Sequence, residues 1–250
     1  YKNEYFKTAK FVQIQHVDHS IESFKSQNIS DKLDTKENDS IHLLSAADYA
    51  VGVGPKLKHT VDTYLNYGNG NKTTVIEIIP GIPEFLRTID LKAHTPSGIL
   101  LFSGRTEDIK LKGIDLAVRI AQKLRGTNTI DRLRIRGVTS ETLGSIKSMV
   151  SRISKEVANN TDYLPFGGET EIKKDLSLCD CVIMPSRNEG FGLSAFESLS
   201  IGKPTVFSAH SGLYLLLKNL IGDDIDNVAV SDFGNIDEWV RKIKWAVSQV

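Results

Sequence analysis

The chain has 250 residues, of which 40% are hydrophobic and 25% are charged, and this composition is typical of a globular protein rather than a disordered one. Lys and Arg total 31, as do Asp and Glu, so no net charge attracts nucleic acid or an anionic membrane over long range. No apolar run reaches the roughly 18 residues that a membrane-spanning helix needs. The composition therefore argues against a nucleic-acid partner and a membrane span, and an anionic ligand would need a local cluster of cations.

The two cysteines, Cys179 and Cys181, lie two residues apart in an apolar run, which is a poor geometry for a disulfide. So few cysteines also provide no disulfide framework of the secreted kind. We therefore expect a reducing compartment and a cytoplasmic location. Four Asn-x-Ser/Thr sequons point the other way; they begin at Asn28, Asn38, Asn71 and Asn159.

The first 80 residues carry signals for part of an α/β domain. The clear strands are two, about half of what a second doubly wound domain needs, so we expect a truncated domain. In chain order, the predicted elements are a strand at Lys10–Gln15, a solvated loop or helix edge at Ser26–Ser40, a short helix at Ile41–Ala47, a short apolar run at Ala50–Val53, a helix from Pro55, a turn at Asn66–Lys72 and a strand at Val75–Ile79.

From Gly98 onward, strands alternate regularly with helices, and the strands are continuous apolar runs typical of a buried parallel sheet. This pattern predicts a doubly wound, Rossmann-like sheet. The predicted strands are Gly98–Phe102, Arg132–Arg136, Thr161–Phe166, Cys181–Met184, Pro204–Phe207 and Val228–Val230. The predicted helices are Ile114–Leu124, Thr139–Val157, Glu171–Leu178, Leu193–Leu199, Gly212–Leu220 and Ile236–Val247.

The stretch Pro80–Pro96 contains three of the seven prolines and is the predicted linker between the two parts. We accordingly divide the chain into a partial, Rossmann-like N-terminal domain with its linker, residues 1–92, and a C-terminal domain, residues 93–250.

A candidate anion site follows the first strand of the C-terminal part. Ser103-Gly104-Arg105 forms a glycine turn, and Lys112 lies shortly before the helix that begins at Ile114. Arg105 can donate two parallel hydrogen bonds to a phosphate, Lys112 adds a point charge, and the helix N-terminus adds a partial positive charge. The alternative interpretation is that these are solvated charges in a turn. This segment alone does not decide between an anion site and solvated charges.

A candidate sugar-binding loop follows the fourth strand. Gly190 and Gly192 flank Phe191, which lets the backbone approach a ligand closely and donate N–H groups to it. Glu189 lies in this loop, and Glu197 follows eight residues later on a predicted helix. A carboxylate accepts two hydrogen bonds at once and so suits the vicinal diol of a ribose or a hexopyranose. An exposed helix residue is the alternative interpretation of Glu197.

The segment His16-Val17-Asp18-His19 could be interpreted as a metal-binding site. Two histidines and one aspartate on a loop do not form a tetrahedral set, so we predict no metal site. For His16, a structural role with Asp18 as its orienting partner competes with a functional one.

The sequence Pro-Ser-Arg-x-Glu-Gly-Phe-Gly-Leu, which contains Glu189 and continues to Glu197, resembles the signature of GT-B retaining glycosyltransferases, most closely family 4 of the glycogen-synthase-like superfamily. The resemblance covers Gly98–Val250 closely and Phe11–Phe85 loosely. Four further segments match in the right order: Ala46–Ala50 with Val53–Pro55, Ile79–Ile82, Ser103–Arg105 with Lys112-Gly113, and Ile201–Pro204.

This resemblance implies a GT-B fold and transfer of a sugar, with retention, from a nucleoside diphosphate sugar to an acceptor that the sequence does not identify. It implies a UDP or GDP sugar as donor and no cofactor. The implied site residues are Glu189 and His16 (with His19 as rival) for catalysis, Arg105 and Lys112 for the diphosphate, Gly190, Phe191 and Gly192 for the sugar, Glu197 for the ribose, and Phe166 and Gly167 for the base.

The sequence also departs from the family pattern. The glycine-rich loop early in the acceptor domain has no counterpart, and Ser211-Gly212 stands in place of the usual Gly-Gly. We therefore expect a chain that binds a donor but turns it over slowly or not at all. Two alternatives are a non-catalytic sensor or assembly module that keeps the pocket, and a sugar-phosphate enzyme such as a phosphorylase or epimerase on the same fold.

Overall fold

The computed structural model describes residues 10–17, 30–67, 72–89, 91, 95–126 and 130–249. The chain forms two compact units, the first comprising Tyr1–Pro80 with Glu189–Phe191 and the second comprising Gly81–Asn188 with Gly192–Val250. The boundary after residue 92 stays a prediction, since residues 92–94 lie outside the described residues. Asp18 and His19, and most of the turn assigned to Asn66–Lys72, lie outside them as well.

The described part of the first unit contains a parallel sheet of three strands in the order β1-β2-β3. The short apolar run at Ala50–Val53 becomes the central strand, with Gly52 packed so closely against the next helix that a Cβ there would overlap the backbone of Lys58. The bounds are β1 Val12–Gln15, α1 Ser30–Ala46, β2 Tyr49–Val53, α2 Gly54–Tyr67 and β3 Thr74–Ile78.

Helix α1 is longer than the sequence predicted, because much of it was assigned to a solvated loop over Ser26–Ser40. Only its C-terminal turns carry apolar side chains at helical spacing. Leu44 is fully buried and Ile41 packs beside it on the core of the first unit. The polar N-terminal turns have no such spacing, so hydrophobic periodicity alone does not detect them.

The second unit contains a six-stranded parallel sheet in the order β6-β5-β4-β7-β8-β9. The prediction of a doubly wound α/β domain is therefore confirmed, and the order reverses direction between β4 and β7. The strands are β4 Ile99–Ser103, β5 Arg132–Arg136, β6 Thr161–Leu164, β7 Cys181–Met184, β8 Thr205–Ser208 and β9 Ala229–Val230. The helices are α3 Ile114–Leu124, α4 Ser140–Ile153, α5 Lys155–Ala158, α6 Glu169–Leu178, α7 Leu193–Ser200, α8 Gly212–Ile221 and α9 Ile236–Val247.

The single helix predicted over Thr139–Val157 is wrong, since Ser154 divides it into α4 and α5. Ser154 adopts an extended backbone with φ −156°, and its hydroxyl accepts a hydrogen bond from the Val157 backbone N–H at 3.2 Å. A serine side chain can satisfy a backbone donor in this way and so offers the chain an alternative to a continuous helix.

The predicted linker Pro80–Pro96 contributes to the core of the second unit. Residues Glu84–Thr88 form a short 3-10 helix in which Leu86 is fully buried. Leu86 belongs to the same apolar cluster as Leu101 and Val182. The proline content pointed to a linker, but it gave no information about this anchoring side chain.

Trp239 on α9 belongs to a core cluster that also includes buried residues of the second sheet and of helices α3 and α4. Its side chain is fully buried, and its indole N–H donates to the Phe233 carbonyl at 3.1 Å. The same helix carries Trp245, which is 42% exposed. Among the described residues, no helix combines the length and the apolar content needed to cross a bilayer.

The two tryptophans of α9 provide a matched test of this core. We expect Trp239→Ala to lower the free energy of unfolding by about 3–5 kcal/mol, because the substitution leaves a large cavity and an unpaired carbonyl. The control Trp245→Ala removes the same atoms from a half-solvated position and should cost far less. Urea denaturation followed by circular dichroism measures both, and equal losses would contradict the assigned core.

Candidate functional site

Parallel strands place the loops after β4, β5, β6 and β7 along one edge of the second sheet. Ligands of open α/β sheets bind outside this carboxyl edge, especially where the strand order reverses. The reversal falls between β4 and β7, so the loops after these two strands have the favoured position. The predicted diphosphate residues follow β4, and the predicted sugar loop follows β7.

The loop between β4 and α3 carries the two predicted diphosphate ligands. Arg105 is exposed, and among the described residues its side chain makes no hydrogen bond or ion pair. Lys112 is half-buried, and its backbone N–H donates to the Asp108 carbonyl at 2.9 Å. Gly113 follows at the N-cap of α3 with φ +70°. A guanidinium without a protein partner and a helix N-terminus are each suited to binding a phosphate.

Gly113 also explains how closely α3 approaches the loop after β7. A Cβ on Gly113 would overlap the carbonyl oxygen of Pro185, and its positive φ already favours glycine. The sequence interpretation treated this glycine only as part of a phosphate-binding motif. Its packing role depends on a neighbour 72 positions along the chain and could not be inferred from local spacing.

An ion pair between Arg187 and Asp115 joins the same two segments. The two terminal nitrogens of Arg187 donate to the two carboxylate oxygens of Asp115 at 2.9 and 3.0 Å. The side chains are 14% and 7% exposed. Burial acts to raise the pKa of Asp115, but hydrogen bonds from Arg187 and Lys110 outweigh it, so this pKa lies below its ordinary value. Sequence reasoning missed both residues of this pair.

A second buried ion pair holds the loop that was predicted to receive the base. Arg136 Nε donates to Asp175 at 2.5 Å, and Arg136 Nη1 donates to the Pro165 carbonyl at 3.0 Å. The next residue, Phe166, is 56% exposed, and a Cβ on Gly167 would overlap the side chain of Glu171. The network therefore fixes the backbone on which an exposed aromatic ring is presented.

Glu197 lies in the second turn of α7 and is half-buried. Among the described residues, its carboxylate has no hydrogen-bond or ion-pair partner, and burial raises its pKa. The interpretation of Glu197 as an ordinary exposed helix residue is therefore wrong. It borders a small cleft whose other lining residues are Leu101, Ser103, Ile172, Asp175, Leu176, Val182 and Ser194.

The remaining predicted residues are divided between the two units. His16 is exposed and follows β1 in the first unit, to which Glu189, Gly190 and Phe191 also belong. Within that unit, Gly190 lies against the His16 backbone, because an added Cβ would be 3.5 Å from the His16 carbonyl oxygen. Gly192, in the second unit, caps the N-terminus of α7 with φ +109°.

The departure at Ser211-Gly212 has a structural explanation. Ser211 is the N-cap of α8, and its hydroxyl accepts a hydrogen bond from the Tyr214 backbone N–H at 3.2 Å. A serine cap satisfies one of the free donors that a glycine would leave open. Within the described residues, no group of three or more His, Cys, Asp or Glu side chains is arranged to hold a metal ion.

The parallel sheets of three and six strands match the fold of GT-B glycosyltransferases. Staphylococcus aureus TarM, solved with fondaparinux, α-GlcNAc-glycerol and UDP, aligns with a TM-score of 0.68 at 20% identity over 98% of this chain and 45% of its own. Anabaena HepE, solved with UDP and glucose, aligns with a TM-score of 0.58 at 17% identity, covering 95% and 66%. At these identities the likeness concerns the fold.

Residues 1–250 match the family 4 glycosyltransferases in conflict systems, and the chain belongs to this family. The D-inositol 3-phosphate glycosyltransferase of Mycobacterium marinum is 27% identical over 166 residues, which is 66% of this chain and 33% of that protein. The enzyme of the same name from Jonesia denitrificans is 28% identical over 185 residues, or 71% and 40%. The chain thus matches 33–40% of the length of these two curated relatives.

The raised pKa of Glu197 gives a pH-dependent contribution to stability. A carboxyl group whose folded-state pKa exceeds its unfolded value stabilises the fold at low pH, and this contribution is lost as pH rises through the folded pKa. Relative to Glu197→Gln, the wild-type protein should therefore lose stability as pH rises above the ordinary glutamate pKa. Urea unfolding of both proteins from pH 4 to 8 measures the difference, and a flat difference would show that the pKa is not raised.

Proposed function

We propose that this chain binds a nucleoside diphosphate sugar and serves in retaining transfer of its sugar to an acceptor. The observation that carries the proposal is a pair of charged side chains without protein partners in the carboxyl-edge region of one sheet. Among the described residues, neither the Arg105 guanidinium nor the Glu197 carboxylate has a partner. A half-buried carboxylate without a partner is unfavourable in a ligand-free protein, whereas ligand hydroxyls can satisfy it.

The diphosphate would bind to Arg105, Lys112 and the N-terminus of α3. Arg105 can bind two oxygens at once, and Lys112 adds charge beside the first N–H groups of the helix. During transfer, negative charge accumulates on the departing diphosphate. Preorganised cations at that position stabilise the transition state more than the ground state, which is the requirement for catalysis.

The nucleoside would bind through Glu197 and the Phe166-Gly167 loop. The Glu197 carboxylate can accept hydrogen bonds from both ribose hydroxyls, and the exposed ring and backbone of the loop can contact the base. UDP is the first candidate, because TarM and HepE were both solved in complex with it. GDP is the second candidate, and the acceptor and a cytoplasmic location stay predictions.

For the donor sugar, Glu189, the backbone of Gly190–Gly192 and His16 stay the contacts that the family resemblance predicts. In the retaining route that the family resemblance implies, the acceptor oxygen attacks the anomeric carbon on the face from which the diphosphate leaves. The acceptor proton passes to the diphosphate, so no protein nucleophile is needed. The protein would then supply orientation and electrostatic stabilisation.

A non-catalytic sensor or assembly module is the second candidate. It is favoured by one observation, namely that Ser211 stands in place of the first glycine of the family's usual Gly-Gly and uses its hydroxyl to cap α8. Such a module would keep the nucleotide contacts of the second unit without turning a donor over. Binding and turnover therefore have to be measured separately.

Binding is tested at the two cations. We expect Arg105→Ala and Lys112→Ala each to weaken the best of UDP, GDP and ADP by roughly ten- to a hundredfold, the size expected for a charge-assisted hydrogen bond. Isothermal titration calorimetry measures the affinities. Arg119→Ala removes an exposed arginine within α3 and is the matched control. Unchanged affinity in both site variants would refute the diphosphate assignment.

Turnover is tested by nucleoside diphosphate release from a panel of UDP and GDP sugars. We expect slow release, well below the roughly 10 per second of a median enzyme, as the departures from the family pattern predict. Efficient transfer requires a donor that is enclosed on both sides, because enclosure excludes water. Release should fall further in Arg105→Ala. Tight binding with no release from any donor would support the sensor, and release at the median rate would contradict our expectation.

A further inference from the structure

Arg187 joins the loop after β7 to the start of α3 through several independent contacts. Its guanidinium donates to both oxygens of Asp115 at 2.9 and 3.0 Å, and also to the Lys110 carbonyl. Its backbone N–H donates to the Leu111 carbonyl at 2.8 Å. The ring of Phe233 lies 5.6 Å from the guanidinium carbon, a distance suited to a cation–π contact.

These contacts leave little of Arg187 available to a ligand. Both terminal nitrogens already donate hydrogen bonds, the aromatic ring lies over the guanidinium, and the side chain is 14% exposed. Arg105 differs in each of these respects, being exposed and without a partner among the described residues. The two arginines therefore have different roles, although Arg187 also lies close in sequence to predicted ligand residues.

The Arg187–Asp115 pair lies next to the predicted diphosphate residues at the start of α3. Asp115 is the second residue of α3, and Lys112 precedes that helix by two residues. A Cβ on Gly113 would overlap the Pro185 carbonyl, so the α3 N-terminus lies directly against the loop that Arg187 holds. A shift of this loop would consequently displace Lys112 and the first N–H groups of the helix.

We propose that the Arg187–Asp115 pair is a positioning device that holds Lys112 and the N-terminus of α3 in the geometry required for the diphosphate. This inference rests on the proposed function of the same site. The pair acts through its neighbours and does not touch the donor. Bidentate geometry is essential to it, since one ammonium cannot hold two carboxylate oxygens in a fixed plane.

The opposite end of α3 provides a control. Arg125, the C-cap residue of that helix, forms an ion pair with Glu156 at 3.1 Å. Arg187→Lys and Arg125→Lys therefore make the same chemical change at the two ends of one helix. The Arg125–Glu156 pair is more exposed, with side chains 22% and 70% exposed, so Arg125→Lys controls for the loss of an arginine ion pair from this helix. A positioning role predicts that only Arg187→Lys alters ligand binding.

The experiment compares wild type, Arg187→Lys, Asp115→Asn, their double variant and Arg125→Lys. Calorimetry measures affinity for UDP, GDP and ADP and for the matching phosphate-free nucleosides. Hydrogen exchange without ligand measures protection of residues 108–115. We expect both single variants at the pair to weaken the diphosphate by roughly ten- to a hundredfold and to leave nucleoside affinity unchanged. Exchange over residues 108–115 should accelerate. The double variant should bind the diphosphate no less tightly than whichever single variant binds it less tightly, because both substitutions break the same pair.

The outcomes separate this inference from the proposed function. Wild-type binding of a nucleoside diphosphate with unchanged affinity in Arg187→Lys and Asp115→Asn would overturn the positioning role alone. Equal losses for diphosphate and nucleoside, or an equal loss in Arg125→Lys, would overturn it too, because they indicate general damage to the domain. Failure of wild type to bind UDP, GDP or ADP would refute the proposed function. In that case, hydrogen exchange over residues 108–115 that is unchanged in the variants would independently refute the claim that the Arg187–Asp115 pair holds the N-terminus of α3.

Discussion

Parallel pairing of the six strands β4–β9 constrains everything else in the second unit. Neighbouring parallel strands must be connected over a face of the sheet, so helices cover both faces, and the central strands β4 and β7 are almost wholly apolar. Strand β5 is an exception, since it carries Arg132, Arg134 and Arg136. The predicted diphosphate and sugar residues accordingly follow the strands β4 and β7 rather than lying within them. Loops that follow successive strands begin at the same edge, which brings residues far apart in the sequence into one region.

Buried ion pairs determine the shape of these loops. The carboxylates of Asp175 and Asp115 are each satisfied by an arginine that also binds a backbone carbonyl of a loop. Removing one partner of such a pair leaves an uncompensated buried charge and costs about 3–5 kcal/mol, although the intact pair adds little net stability over an apolar core. We infer that their main effect is to fix loop geometry. Arg105 and Glu197 lack such partners among the described residues, and this contrast separates residues that support the site from residues that would bind a ligand.

Much of the second unit could be predicted because its signals are local. Helices α3 and α9 and strands β5 and β7 have the predicted bounds, since each combines clear periodicity or a continuous apolar run with a glycine or polar boundary. The polar N-terminal turns of α1 lack periodicity, and the break at Ser154 depends on a side-chain hydrogen bond. Leu86 gives no local signal at all, because its burial depends on Leu101 and Val182 in other elements.

The sequence by itself determined the fold class, the alternation of strands and helices, and the residues that follow each strand, because strand and helix periods are properties of short segments. It also placed Arg105 and Lys112 between a strand and a helix, and Glu197 on a helix after a glycine loop. Only the tertiary structure decided which charges are satisfied and which are not. Arg187 meets Asp115 across 72 positions and Arg136 meets Asp175 across 39. The free energy of a charged side chain depends on burial and on partners, and both are defined only once distant segments pack together.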